Sequence, residues 1–165
     1  AKVGALHTDL YQITMCYNYF LEGRHEESSC FEMFFRKSPF KGSHVVLAGV
    51  REVIFYLLHL KFTPQEIAYL RTLLPQASED FWLYMTNMHH QKEELSLYTI
   101  AEGSLVFPST PLLRVNGPLG LLQLIETALL NLTSFPSLLL LSMLICTLSA
   151  QGNHTLSCKG SFSRE

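Results

Sequence analysis

The sequence predicts an α+β fold, because helical and strand patterns are mixed along it without strict alternation. The clearest helical pattern covers residues 44–60, where Val50, Val53 and Leu57 follow the 3.6-residue period. The clearest strand pattern covers residues 28–35, where the side chains change face at every position. The length of 165 residues suits one domain.

The first predicted helix covers residues 10–21. Thr8 and Asp9 precede it, and we expect the hydroxyl at the N-cap and the carboxylate in the first turn. Gly23 is a suitable residue to end the helix.

The first predicted strand covers residues 28–35. Its two faces are Cys30, Glu32 and Phe34 on one side and Phe31, Met33 and Phe35 on the other. Because aromatic residues occur on both faces, we expect one face to be buried and the other to be partly covered. The following loop, residues 36–42, contains Pro, Gly and three cations, which are Arg36, Lys37 and Lys41.

Three helices are predicted next. The first covers residues 44–60. The second begins with the capping box Thr63–Glu66, has Pro in its first position and runs to residue 74. The third begins at Ser78 and runs through Met85.

Two further strands, residues 95–100 and 110–115, flank the turn residues Gly103, Pro108 and Pro111. The Gly117-Pro118 pair is expected to end a strand. The helical period then returns from Leu119 to Phe135.

The chain carries no charged residue from position 127 to position 158, and residues 138–146 are rich in Leu. The window 132–150 contains 19 uncharged residues, close to the ~20 that a membrane span needs. Pro136, six Ser or Thr residues and the lack of flanking anchors weaken that interpretation. The alternative is a core helix whose partner surface lies elsewhere.

Composition excludes several classes of protein. Hydrophobic residues make up 48% of the chain and charged residues 16%, which excludes a disordered chain. A net charge of −2 argues against a nucleic-acid partner. Four widely spaced cysteines and the absence of a signal-peptide pattern favour a cytosolic protein with reduced thiols.

The sequence lacks the common phosphate-loop, dinucleotide, zinc-protease and nucleophile-elbow motifs. His89 and His90 are adjacent, so on a helix they point about 100° apart and are expected to be a surface pair and not metal ligands.

Two residues are candidate ligand contacts. Tyr11 is in the first turn of the first helix, where its ring can stack on a flat aromatic ligand; the alternative is a core aromatic. Arg36 follows the aromatic strand, and its guanidinium suits a phosphate; the alternative is a solvated loop charge.

Five motifs in order resemble nicotinate phosphoribosyltransferases, over about residues 6–138. They are LHTDLYQITM (6–15), FEMFFRKSPF (31–40), EGSLVFP (102–108), PLLRV (111–115) and GP with QLIET (117–118 and 123–127). The resemblance implies the N-terminal α/β sandwich-type domain of a type II phosphoribosyltransferase, which we assign to residues 1–135.

The resemblance also implies a cytosolic homodimeric enzyme of NAD biosynthesis. That enzyme joins nicotinate to 5-phosphoribosyl 1-diphosphate, forming nicotinate mononucleotide and pyrophosphate with ATP hydrolysis and Mg²⁺ or Mn²⁺. Tyr11 would stack on nicotinate in the partner subunit's site, Asp9 would support Tyr11, and Arg36 would lie near the phosphoribosyl diphosphate.

After residue 135 the chain departs from the family, whose members continue into an α/β barrel with the catalytic histidine and the phosphate loops. We therefore expect no catalytic residue and no metal ligand here, and an isolated chain that is inactive. We interpret residues 136–165 as a divergent tail, which is an alternative or truncated end of the family sequence. Without that barrel, the apolar surface of residues 119–135 would be exposed. We expect the apolar run 138–146 to fold back over this surface.

Three functions remain open at this point. The chain could supply Tyr11 in trans to a full-length enzyme, either as a homodimer or as a heterodimer. It could be a non-catalytic interaction fragment. It could be anchored to a membrane through residues 132–150, which we consider the least favoured of the three.

Overall fold

The computed structural model describes residues 3–151, apart from the side chains of residues 41, 150 and 151. The described helices are α1 (Leu10–Leu21), α2 (Val50–His59), α3 (Pro64–Leu73), α4 (Glu79–Asn87) and α5 (Leu119–Gln151), with 3₁₀ turns at Pro39–Lys41 and Met88–Glu94. The strands are β1 (Ser28–Met33), β2 (Val45–Val46), β3 (Ser96–Thr99), β4 (Leu105–Val106) and β5 (Leu113–Pro118). The predicted α+β class is confirmed.

An antiparallel sheet in the order β1-β5-β3 forms one layer. Phe31 of β1 and Leu97 of β3 both pair with Val115 of the central strand. Val115 and Leu113 are buried, so this face of the sheet packs on the core. A second, two-stranded sheet pairs Val45 of β2 with Val106 of β4.

The first third of α5 forms the centre of the core. Leu121, Leu122, Ile125 and Ala128 are all at most 1% exposed. Helices α1 and α2 and strand β1 pack around them. The expectation that residues 119–135 have lost their cover is therefore wrong for the part up to Leu129, because this chain's own elements bury it.

The caps of two predicted helices are confirmed, and that of a third differs. Thr63 and Glu66 form the reciprocal capping box of α3, and the Ser78 hydroxyl accepts from the Phe81 amide at the start of α4. At α1 the cap differs from the prediction: Asp9 itself is the N-cap, so the carboxylate lies at the cap and Thr8 precedes it.

The predicted helix over residues 44–60 begins only at Val50. Val45 and Val46 instead pair with β4, a strand that the sequence analysis did not predict. Gly49 separates strand from helix, with a φ of 91° that breaks the helical geometry.

Two strand boundaries also differ. β1 ends at Met33, and β5 covers Leu113–Pro118 where residues 110–115 were expected. The alternation along β1 is confirmed, but the face with Cys30, Glu32 and Phe34 is exposed and not partly covered. Gly117-Pro118 does end its strand.

The expected break after residue 135 is absent, since α5 runs without interruption through Pro136 to Gln151. The apolar run 138–146 continues the helix, so the fold-back hypothesis is wrong for the described residues. The boundary that we placed between residues 135 and 136 falls inside this helix. Residues 152–165 of the predicted tail, with Cys158, lie outside the described residues.

Helix α5 is long and apolar enough to cross a membrane by length and composition, over Leu119–Ser149 with a mean hydropathy of 1.9. Within that stretch, the residues up to Leu129 belong to the core described above. Thr133, Ser137 and Leu141 are also buried on one face, whereas the helix beyond Leu141 is mostly exposed. The feature therefore combines a core helix with an apolar extension.

Candidate functional site

A cleft of about 600 Å³ lies between the start of α1, the end of β1 and the middle of α5. Tyr11 and Arg36, the two candidate ligand contacts, both line it although they are 25 positions apart in sequence. Met15, Phe34 and Leu130 are among its apolar lining residues. The fold therefore brings one aromatic ring and one guanidinium to the same concave surface.

Tyr11 lies in the first turn of α1, with 49% of its surface exposed. The ring is available to a ligand, and the core-aromatic alternative does not describe it. Desolvation, followed by the negative charges of Glu126 and Asp9, raises the pKa of the Tyr11 phenol above its usual value. The phenol is therefore neutral at physiological pH and can face an anion without charge repulsion.

Arg36 follows β1 directly and is exposed at the edge of the cleft. The strand fixes its position, since β1 is paired with the central strand up to Met33. No ion pair involves Arg36 among the described residues. Its five N–H donors are thus free to bind an oxyanion.

Asp9 supports the start of α1 and does not line the cleft. Its Oδ2 accepts a hydrogen bond of 2.8 Å from the Thr127 hydroxyl of α5. Its charge also contributes to the raised pKa of Tyr11. The supporting role suggested for Asp9 stays a prediction.

Three polar residues of this region were missed as site residues. Gln12 is fully buried, Gln123 is 4% exposed and Glu126 lines the cleft. The Gln12 and Gln123 amides both donate to Glu126 Oε2, at 3.3 and 3.2 Å. The available signal was the spacing of Gln123 and Glu126, three apart in an otherwise apolar helical segment.

The charge of the cleft is slightly unfavourable for anions. Its described lining contains one cation, Arg36, and two carboxylates, Glu32 and Glu126. The formal sum, +1 from one Arg and −2 from two Glu, is −1. Arg36 alone therefore does not make the cleft favourable for a multiply charged anion.

No metal centre is evident in the part of the chain that the structure describes, where no three His, Cys, Asp or Glu side chains form a group able to hold an ion. His89 and His90 lie in a 3₁₀ turn with ring centroids 4.0 Å apart. Glu32 and Glu126 are the two carboxylates of the cleft. The described residues therefore do not themselves fit the Mg²⁺ or Mn²⁺ that the resemblance implies.

Comparison with known sequences relates this chain to one family. The nicotinate phosphoribosyltransferase (NAPRTase) N-terminal domain family matches residues 6–134. This chain belongs to the nicotinate phosphoribosyltransferase family. The resemblance based on the five motifs is confirmed.

Nicotinate phosphoribosyltransferases of distant organisms are similar to this chain. The Caenorhabditis elegans protein is 44% identical over 82% of this chain and 24% of its own length. The Bacillus subtilis protein is 44% identical over 82% of this chain and 27% of its own length. The chain thus spans about a quarter of the length of these relatives.

Two solved structures resemble this chain. The crystal structure of human nicotinic acid phosphoribosyltransferase has a TM-score of 0.73 and 38% identity, over 79% of this chain and 26% of that one. The nicotinate-nucleotide pyrophosphorylase of Pyrococcus furiosus has a TM-score of 0.53 and 19% identity, over 78% of this chain and 24% of that one. The latter likeness concerns the fold alone.

Proposed function

We propose that this chain supplies Tyr11 and Arg36 to a composite nicotinate phosphoribosyltransferase site that a second polypeptide completes. The reaction joins nicotinate to 5-phosphoribosyl 1-diphosphate and releases pyrophosphate. The observation that carries the proposal is the presence of both side chains on one cleft. Family membership supports the reaction class.

Tyr11 would bind the pyridine ring. An exposed phenol on a rigid helix offers its face for offset stacking, which contributes about 0.5–1.5 kcal/mol beyond the burial of area. The raised pKa keeps the ring uncharged beside the nicotinate carboxylate. The dipole at the N-terminus of α1 favours negative charge at the same place.

Arg36 would bind the diphosphate. A guanidinium pairs with two phosphate oxygens at once, which gives both binding energy and orientation. One cation against two carboxylates does not neutralise the substrates, so we assign the remaining positive charge to the completing polypeptide. This charge balance is the reason to expect little activity from the chain alone.

ATP and Mg²⁺ belong to the same proposal, since the resemblance assigns them to whole enzymes of the family. The described residues hold no candidate metal group, so no step is assigned to a metal here. The proposed contribution of this chain is to bind and orient substrate. Cytosolic localisation and pairing with a second subunit remain predictions.

Complementation tests the proposal. The chain is mixed with a full-length relative whose residue at the position of Tyr11 has been changed to Ala, and nicotinate mononucleotide is measured. We expect no product from the chain alone and restored product from the mixture. Addition of the Tyr11→Ala chain should restore nothing, whereas Tyr98→Ala, a change at an exposed tyrosine of β3, should restore activity.

Restoration by the Tyr11→Ala chain would contradict the role of the ring, and product from the chain alone would contradict the composite site.

The role of Arg36 is tested in the same mixture. The Arg36→Lys variant should raise the KM for the phosphoribosyl diphosphate about tenfold, because the two-point contact is lost. Arg51→Lys on the exposed surface of α2 is the matched control.

The second candidate function is an interaction fragment without catalysis. The exposed apolar side chains of α5, such as Phe135, Met143 and Leu148, favour association with another protein. In the same mixture, this function predicts a loss of the relative's residual activity, with no restoration.

A further inference from the structure

A buried polar contact joins α1 to α5 next to the cleft. Gln12 is fully buried, and its Nε2 donates to Glu126 Oε2 at 3.3 Å. Gln123 donates to the same oxygen at 3.2 Å. Glu126 therefore receives one amide from each helix.

The other end of the Gln12 amide is also used. Its Oε1 accepts from the Asp9 backbone N–H at 3.1 Å and from the Thr8 hydroxyl. Both polar atoms of this buried amide thus have a partner. If α1 slid or rotated on α5, Thr8 and Asp9 would move with Gln12, whereas the Gln12 amide would lose Glu126, which is unfavourable in an apolar environment.

The Thr127–Asp9 hydrogen bond also joins α5 to the start of α1, but it lies at an exposed position. Leu122, Ile125 and Leu129 make apolar contacts, which are non-directional and tolerate small displacements. A polar contact in an apolar interface can therefore select one register of two helices, as buried polar residues do in coiled coils.

We propose that Gln12 and Glu126 are positioning residues that fix the register of α1 on α5 and so place the Tyr11 ring in the cleft. The substrate role of that ring rests on the proposed function above. Tyr11 directly precedes Gln12 and lies about 100° from it around the helix, so a buried Gln12 directs Tyr11 towards the cleft.

The consequence for binding is geometric. A slip of one residue moves a side chain about 1.5 Å along the axis and rotates it by about 100°. Misplacements of about 1 Å in a positioning group can cost a hundredfold in rate. Register is therefore more important for Tyr11 than for a core residue that only fills space.

The decisive variant removes the polar contact between the two helices. In the double variant Gln12→Leu, Glu126→Leu, both partners of that contact become apolar, while the Gln123 amide loses its acceptor. We therefore expect a folded chain with a modestly lowered thermal midpoint. Complementation of the Ala-substituted relative should nevertheless fall at least tenfold. Glu126→Gln retains an acceptor oxygen for the amides, so its thermal midpoint should stay closer to that of the wild type than the midpoint of the double variant does.

Gln65→Leu is the matched control, since it makes the same chemical change on the exposed surface of α3. It should leave both the midpoint and the complementation unchanged. If the double variant is stable and complements fully, the register does not depend on this contact and the proposal is overturned. If the double variant fails to fold, Gln12→Met with Glu126→Gln serves as the milder test of the same prediction.

A second readout does not depend on activity. The Thr127 hydroxyl of α5 donates to Asp9, the N-cap of α1, so the intact chain should show a through-space NMR contact between the Thr127 side chain and the start of α1. The contact should weaken in the double variant and persist in Gln65→Leu. An undiminished contact would overturn the positioning role. The two readouts separate the two proposals. If the contact is lost in the double variant but the wild-type chain never restores activity, the role of Gln12 and Glu126 in fixing the register stands and the proposed function is rejected.

Discussion

Gly49 lies directly against the backbone carbonyl of Leu132. A Cβ built at Gly49 would overlap the Leu132 oxygen, far inside van der Waals contact. Leu132 is four residues before Pro136, which has no N–H to donate to that carbonyl. The proline therefore frees a carbonyl on α5, and the glycine leaves room for it beside the start of α2.

The first prediction concerns this contact. Gly49→Ala should lower the free energy of unfolding by at least about 2 kcal/mol more than Gly103→Ala does, because only the former adds a steric clash. Both glycines have similar positive φ, 91° and 87°, so the backbone strain of about 1–2 kcal/mol is shared. Urea denaturation measures both variants, and equal losses would contradict the close approach of α2 and α5.

The second prediction concerns alkaline pH. Burial, with a smaller effect of the Glu66 charge, raises the pKa of the Tyr56 phenol. The unfolded chain then loses this proton first, near pH 10, so the contribution of Tyr56 to stability is complete below pH 10 and decreases above it.

Tyr56→Phe should therefore flatten the decrease of stability above pH 10 and change stability little at pH 7. Urea unfolding at pH 7 and at pH 10.5 measures the effect. The control is Tyr69→Phe, a tyrosine that is 55% exposed on α3. An unchanged slope in Tyr56→Phe would show that another group causes the alkaline loss.

The third prediction concerns the thiols. Burial raises the pKa of the Cys16 thiol to about 12, whereas Cys30 and Cys146 are exposed. In the native chain at pH 8, iodoacetamide should label Cys30 and Cys146 and leave Cys16 unmodified, because the thiolate is the nucleophile. Peptide mass spectrometry identifies the labelled sites. Unfolding in urea should expose Cys16, and labelling of Cys16 before unfolding would contradict the packing of α1.

The fourth prediction concerns the exposed end of α5. Met143 and Leu148 are 63% and 66% exposed, and no charge interrupts this part of the helix. The chain should self-associate as its concentration rises, and Met143→Asp with Leu148→Asp should reduce that association.

Sedimentation velocity over a range of concentrations measures the association. Leu141→Asp is the contrasting control, since Leu141 is 8% exposed and a buried unpaired charge should destabilise the fold. A chain that is monomeric at every concentration would contradict the prediction.

The sequence by itself determined the helices and strands that depend on residues close together in the chain. The capping residues Thr63 and Ser78 lie next to the helices that they start, and the period-2 alternation of β1 is readable from adjacent residues. At α1 the cap is Asp9 and not the predicted Thr8. The family was also readable, since five ordered motifs are local patterns. Tyr11 was recognisable as a candidate from its motif and its place in the first helical turn.

Only the tertiary structure decided the features that depend on distant residues. Val45 and Val46 fit a helical period, but they form a strand because β4 provides a partner about 60 positions later. The predicted helix ended at Phe135, but α5 continues through Pro136, where Gly49 leaves room for the freed Leu132 carbonyl. Tyr11 and Arg36 became one site because α1, β1 and α5 pack together, and such long-range packing is not encoded in any short stretch of sequence.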